Sequence, residues 1–508
     1  MSDSLREPWL RGLALNPAAP SDVLVRLMDR AAGAAGPLMC EGRDLPDAVV
    51  DAALRHPDPG IRRALARNRH VDPARLAPLA TDPSGIVRAW LAGGPRSRPR
   101  SVRPLPDDVL VTLLTAEDGG ADGRLTANEI IEELVSSRQI PPSFHRSLAD
   151  REHPALRIRA TLTWQSLTPA QREALLDDPD PAVRQAARDR SWVLDPERVE
   201  AELPSVGARH REFVFGTCAL SPALVEQCFA DGTVRALARN PHIPADTVAR
   251  LARHPEATVR ALTAVRPDLG PDLAAELRQD PDETVRLRAR LQPFSRTWAE
   301  YGAIGRVVGQ VVGHGPDCIC PITEPSAESS SEPSAEPSAE PSPDWFAACA
   351  ASGEPELRRV AASRPLLPAD LAGALAQDAD EEVRIRLACH HPLAPPGLLL
   401  DVFVTRPVHR PHLLTLPAFP RTGLTHLIAH PDPEVRALAA ADPALPDPPV
   451  DDPDDTVCRA AAANPSLTPR ALEDLLTTPR TAEGAAANPS LPAHRMHTLL
   501  DHCLHAPA

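Results

Sequence analysis

The chain has 508 residues and a net charge of −15, and all 54 of its basic side chains are arginine. The missing lysine excludes Schiff-base catalysis, a P-loop and a kinase site built on a strand lysine, and the negative balance opposes general binding to nucleic-acid phosphates or anionic lipid. Apolar residues make up 43% but aromatics only 3%, with one tyrosine (Tyr301), so the core has to be built from Ala, Leu and Val, which suits short close-packed helices better than broad sheets.

Read along the chain, one pattern keeps returning: proline, three residues, Val or Ile, then arginine. It occurs at Pro57–Arg62, Pro83–Arg88, Pro154–Arg159, Pro179–Arg184, Pro255–Arg260, Pro281–Arg286 and Pro431–Arg436. Weaker copies are Ala379–Arg384 and Pro453–Cys458, where cysteine takes the arginine's place. The residue before the proline is His56, Asp82, His153, Asp178, His254, Asp280 or His430. A second element follows about seven residues after the arginine, as Asn240-Pro241 and Asn488-Pro489, with Asn16-Pro17, Asn464-Pro465 and the variant Arg364-Pro365. A short leucine run comes next, for example Pro244 to Leu251 or Pro368 to Leu375. Copies recur every 22 to 26 residues, as from Pro431 to Pro453 and from Pro57 to Pro83.

Proline disfavours helical geometry in the residue before it and is welcome at the first helical position. Each Asp-Pro or Asn-Pro therefore stops one helix, and its Asp or Asn is expected to cap the next. In Asp280-Pro281-Asp282-Glu283 an acid falls three residues on, in the capping-box position. Helices of two or three turns follow, with Val259, Leu262 and Ala264 among the expected buried positions. A unit this short encloses no core by itself, so the units have to stack.

The combination Asp-Pro-x-x-x-Val-Arg, then Ala-x-Asn-Pro-x-x-Pro and a leucine run, resembles the leucine-rich repeat variant (LRV) group and, more loosely, HEAT-like repeats. The resemblance covers most of 1–292 and 344–508. It implies an armadillo-like solenoid of alternating short helices without a sheet, and no particular activity. Some LRV members carry an N-terminal iron–sulphur domain; with only Cys40 in that region, no such cluster is expected here.

The expected architecture is thus all-α: an α-solenoid of short paired helices, about 22–26 residues per repeat, in two arms joined by a disordered linker. Residues 1–292 form the first arm, with loop insertions near 28–50, 94–104 and 117–135, and 344–508 the second, with an insertion at 400–422. Residues 293–343 are the non-repeat segment and linker, carrying a Glu-Pro-Ser-Ala tract between Pro321 and Asp344.

The repeat arginines Arg62, Arg88, Arg159, Arg184, Arg260, Arg286, Arg384 and Arg436 read as a structural ladder bonded to Asp or helix-end carbonyls; the other reading is a row gripping an acidic partner. Asp118 to Glu129 has the register of a calcium loop, with Asp118, Asp122 and Glu129 at positions 1, 5 and 12. Gly120 at position 3 supplies no side-chain oxygen, and Thr126 with Glu129 also reads as a capping box. Cys318 and Cys320 form a thiol pair that would need further ligands, such as Cys349 with Cys389 or His390, to hold zinc. The last helix carries His494, His497, His502, Cys503 and His505, and Arg96 to Arg103 is a local basic patch.

Nine scattered cysteines without a C-x-x-C pair point to reduced thiols in the cytoplasm. The first residues, MSDSLREPWLRGLALNP, lack the apolar core of a signal peptide, and the run from Gly302 to Gly313 is too short to span a bilayer. No G-x-S-x-G occurs. The function expected is a non-catalytic repeat scaffold for a protein or peptide partner, needing no cofactor, with nucleic acid and membrane disfavoured. The alternative is a calcium- or zinc-responsive regulator working through the 118–129 loop or the Cys318/Cys320 pair.

Overall fold

The computed structural model describes residues 3–95, 104–116, 125–137, 139–203, 208–266, 268–291, 343–353, 355–364 and 367–504. Among them there is no strand, and the all-helical expectation holds. In chain order the helices are α1 Arg6–Leu15, α2 Ser21–Arg26, α3 Ala35–Gly42, α4 Asp47–Leu54, α5 Pro59–Ala66, α6 Gly85–Gly93, α7 Asp107–Leu114 and α8 Ala127–Ser137. They continue with α9 Pro142–Ser147, α10 Pro154–Ala160, α11 Pro169–Leu176, α12 Pro181–Ser191, α13 Pro196–Glu202, α14 Ala208–Thr217, α15 Pro222–Asp231 and α16 Val234–Leu237. Next come α17 Ala245–Ala252, α18 Ala257–Thr263, α19 Pro271–Leu277, α20 Glu283–Leu291, α21 Pro343–Ala350, α22 Pro355–Ala362, α23 Ala369–Leu375 and α24 Glu381–His390. The last are α25 Pro396–Thr405, α26 Arg410–Leu413, α27 Pro433–Ala440, α28 Asp455–Ala462, α29 Pro469–Leu475, α30 Ala482–Ala487 and α31 Ala493–Leu504.

The helices gather into two compact units, Met1–Ile140 with Ala394–Ala508, and Pro141–Leu393. This grouping cuts across the sequence segments 1–292 and 344–508, because the C-terminal repeats pack on the N-terminal ones. In the first unit one layer runs α27, α28, α30, α1, α3, α5, α6, α8, each against the next. The companion layer runs α31, α2, α4, the 3₁₀ helix Pro73–Thr81 and α7. Both layers pass through the junction between the chain's ends without a break. In the second unit the same kind of layer is seen in α14, α16, α18 and α20, and in α22 with α24. Residues 28–50, expected as an insertion, contain α3 and begin α4; α3 joins the layer although it lacks the Val-Arg signature.

The helix starts are shifted by two residues from the sequence expectation. Asp58, not His56, caps α5, accepting from the Gly60 N–H with Pro59 in the first turn. Likewise Asp180 caps α12, Asp432 caps α27 and Asp454 caps α28. In the tetrad at 280 the cap is Asp282, which accepts from the N–H groups of Thr284 and Val285. The physical reason is that the earlier Asp or His is already committed. Asp82, Asp280 and Asp452 each accept from the N–H two residues on, and so do His56, His254 and His430 through Nδ1. That bond forms the turn from which the helix then starts.

The core follows the composition. Val49, Val87, Val259, Val285, Val435 and Val457 are fully buried, while Leu262 packs only at the edge. In the α28–α30–α1 stack Gly484 lies against Ala462 and Gly12 against Ala486, and Ala461, Ala485 and Leu13 are fully buried. A Cβ at Gly484 would overlap the Arg459 carbonyl, and one at Gly12 the Glu483 carbonyl. Glycine there lets backbones meet directly, which is how a chain poor in aromatics still reaches close packing.

Candidate binding face

Two ladders of hydrogen bonds hold the repeats, and together they determine which side chains are left outside. The first is the arginine ladder. Arg62 donates from Nε and Nη2 to the two oxygens of Asp82 at 2.6 and 3.0 Å, and from Nη1 to the carbonyl oxygens of His56 and Pro57. Arg260 repeats this with Asp280, and Arg436 with Asp452. Both groups of the Arg260–Asp280 pair are largely shielded, with side chains 13% and 7% exposed. The hydrogen bonds from arginine hold the carboxyls of Asp178, Asp280 and Asp452 below the usual carboxylate range.

In the repeat at 154 the arginine in this role is Arg157, which bonds Asp178 at 2.7 and 2.9 Å and the Arg151 carbonyl. Arg159, the residue picked out by the sequence pattern, instead lies half-buried near His145, and burial lowers its pKa. The pattern there is out of register because His153 itself caps α10, whereas elsewhere the cap is the residue after the motif proline. A further rung, Arg358 with Asp378, carries Leu357 where the pattern has Val or Ile. Arg88, Arg184, Arg286 and Arg384 donate to the carbonyls of Asp82, Asp178, Asp280 and Asp378, the same acids that pair with the preceding arginines. Rungs are therefore built by pairs of repeats: the first gives the arginine, often after a His, and the second gives the Asp. Cys458 occupies an arginine position, and its thiol donates to the Asp452 carbonyl at 3.0 Å.

The second ladder was not foreseen. Asn464 does not cap the helix that follows it. Its side-chain NH₂ reaches back to the carbonyls of Ala440 and Asp442, at 2.8 Å each. Asn488 does the same to Ala462 and Asn464, Asn16 to Ala486 and Asn488, and Asn68 to Cys40 and Arg43. Between the last two, Arg43 fills the position, donating to Ala14 and Asn16. In the second unit Asn240 bonds Phe215 and Cys218, and Arg266 bonds Ala238 and Asn240. The amide suits the place because it donates twice to orphan helix-end carbonyls while its oxygen accepts from the N–H two residues on, as Asn464 does from Ser466. The recurring Asn-Pro pair was the available signal, but a repeat read in isolation does not reveal a bond to its neighbour.

With those positions turned inward, the residue five before each ladder residue in the first unit's layer keeps an edge to solvent, exposed at Arg459, Arg11 and Leu38 and half-buried at Glu483 and Arg63. Taken along the stack these are Arg459, Glu483, Arg11, Leu38 and Arg63. Their alignment is physical as well as numerical: Glu483 sits between Arg11 at 3.9 Å and Arg459 at 3.5 Å. The residues directly before the ladder positions are Ala463, Ala487, Leu15, Gly42 and Arg67. Leu15 is 50% exposed and Leu38 37%. At the end of the row the guanidiniums of Arg63 and Arg67 both lie over the Trp90 ring, 4.4 and 3.9 Å from its centroid. The companion layer carries exposed pairs between successive repeats, such as Arg75 with Asp51 and Arg26 with Asp501.

Of the metal candidates, Glu129 is engaged in the capping box: its carboxylate accepts from the Thr126 N–H at 2.7 Å and hydroxyl at 3.0 Å. Asp118, Asp122, Cys318 and Cys320 lie outside the described residues, as do the patch at 96–103 and the linker tract. His497 bridges Asp22 and Arg26. Burial pushes the thiols of Cys349 and Cys389 up to about 12. Among the described residues no group of His, Cys, Asp and Glu is arranged to hold a metal ion. No described helix is long and apolar enough to cross a membrane. Compared with known proteins, the chain matches no family model and no curated protein.

Proposed function

We propose that this chain is a non-catalytic repeat scaffold of LRV or HEAT-like type that holds a protein or peptide partner on the outer side of its helical layers. The observation that carries this reading is the contrast between inward and outward positions. The ladder positions repeat the same chemistry from unit to unit, whereas the neighbouring outward position reads Arg459, Glu483, Arg11, Leu38, Arg63. A constant frame with a varied surface is the arrangement repeat proteins use for recognition.

A binding rather than catalytic role is also supported by the chemistry of the perturbed groups. Burial drives the thiols of Cys40, Cys349 and Cys389 to about 12 and those of Cys218 and Cys503 to about 11, which keeps them protonated and poorly nucleophilic. Seven thiols outside any disulfide among the described residues support a reducing, cytoplasmic setting. The experiment is co-purification of the tagged chain from its native cell with quantitative mass spectrometry. A stoichiometric protein partner is expected, and recovery of the chain alone, under crosslinking as well, counts against the scaffold.

A further inference from the structure

We infer that the outer row of the first unit binds an extended acidic peptide bearing one large apolar side chain. The inference rests on the scaffold reading above and adds the chemistry of the partner. The protein as a whole carries a net charge of −15, so a row dominated by arginine is a local reversal of its field. Along five successive helices the row offers Arg459, Arg11 and Arg63 against Glu483, which Arg459 and Arg11 share, while Glu7 also lies 4.0 Å from Arg11.

Guanidinium is the group that binds carboxylates through planar N–H pairs, and lying over an aromatic face leaves its in-plane N–H groups free to point past the ring. Arg63 is held over Trp90 with its Nε out of solvent, so the terminal Nη groups are what it can offer a carboxylate, and their reach is pre-set by the ring rather than drawn from side-chain entropy. Between Arg11 and Arg63 the row turns apolar: Leu38 and Leu15 are exposed, beside Gly42. A peptide laid across the helices therefore meets Arg459, then Glu483 held between two arginines, then Arg11, the apolar Leu38 and Arg63 in order. Neighbouring helices pack about 8–10 Å apart, so an extended strand at about 3.3 Å per residue places an acid on every third residue or so. The arginines foreseen from the Val-Arg pattern do not take part, because the ladder has turned them inward.

The test is fluorescence anisotropy of the full chain with a labelled peptide of about twelve residues, Glu and Ser around one central Leu, and with two controls in which Glu becomes Gln or Leu becomes Ser. The acidic peptide is expected to bind, to weaken steeply as salt is raised, and to outcompete both controls. Arg63→Gln is expected to lower its affinity several-fold, and Arg11→Gln with Arg63→Gln by about tenfold, the charge loss of two carboxylate contacts. Arg63 lies away from the junction of the chain's ends, so an unchanged melting curve for Arg63→Gln separates lost binding from lost fold. Failure of the acidic peptide to bind, equal binding of the Gln control, or full affinity in the double variant overturns the inference. A natural partner that co-purifies but is not displaced by the peptide overturns it too, while leaving the scaffold itself standing.

Discussion

The side-chain amide of Asn16 donates to the carbonyl oxygen of Asn488 at 2.8 Å, joining residues near opposite ends of the chain by the bond that Asn488 makes to Asn464. The indole N–H of Trp9 reinforces the junction by donating to the Leu476 carbonyl at 2.9 Å. The first repeat thus continues the stack that the last repeats leave open. Asn16→Asp keeps the shape and the acceptor but removes both donors, leaving two buried carbonyls facing a carboxylate. A loss of about 2 kcal/mol or more is expected in urea unfolding monitored by circular dichroism. Fragments 1–140 and 394–508, expressed separately and mixed, are expected to co-elute as a one-to-one complex. An unaltered midpoint for Asn16→Asp, or fragments that ignore each other, contradicts the junction.

Arginine hydrogen bonds depress the carboxyl pKa values of Asp178, Asp280 and Asp452 in the folded chain. A depressed folded pKa adds stability that is complete above the unfolded carboxylate range, near pH 4, and is lost as pH falls through the lower folded value. Acid unfolding is therefore expected to steepen below about pH 4. For Asp280→Asn the expected cost is about 2 kcal/mol at neutral pH, toward the low end for charged hydrogen bonds because water reaches one edge of the pair. The difference between variant and parent is expected to shrink in acid. A constant difference from pH 7 to pH 3 shows that ionisation of Asp280 contributes nothing.

Much of this architecture was legible because proline punctuation acts locally. Asp-Pro and Asn-Pro stop helices wherever they occur, so the period, the all-helical class and the inward arginine at Arg62, Arg260 and Arg436 could be read directly. What escaped depends on a neighbour. Asn488 looks like a helix stop until the Ala462 carbonyl is placed beside it. Arg157 and Arg159 are equally plausible until the cap at His153 sets the register. The alternation of His and Asp before the motif proline was visible, but its meaning lies in one repeat lending its acid to the arginine of the one before. The union of the chain's ends left only a faint mark, the glycine at Gly12, since no sequence pattern specifies which open repeat face meets which.

The buried thiols give a prediction about reactivity. Cys40, Cys349 and Cys389 rest at about 12 and Cys218 and Cys503 at about 11, each raised chiefly by burial. At pH 8 the thiolate fraction is then far below that of an exposed cysteine. Iodoacetamide followed by peptide mass spectrometry is expected to leave these five unlabelled in the native chain and to label all of them in urea. Rapid native labelling of any one shows that its helix opens readily enough to expose the thiol.

Cys458 and Arg480 test whether the ladder needs a guanidinium or a particular arginine. The carbonyls that an arginine at 458 would bind are those of Asp452 and Pro453, by analogy with Arg436 and the carbonyls of His430 and Pro431. Arg480, from the following repeat, donates to those two oxygens at 2.9 and 3.2 Å, with its Nε on Asp455 at 2.5 Å. The guanidinium missing from one repeat is therefore lent by the next. Cys458→Arg alone brings a second cation to an occupied, buried place and is expected to lower the melting temperature. Arg480→Ala alone is expected to lower it as well, leaving the thiol of Cys458 as the remaining side-chain donor. Combined, the two changes restore one guanidinium to the usual position, so the double variant is expected to be more stable than the sum of the single losses, a favourable coupling in a double-mutant cycle. Strict additivity would mean that the two side chains do not compete for the same carbonyls, and that Cys458 is simply a small residue in a tight place.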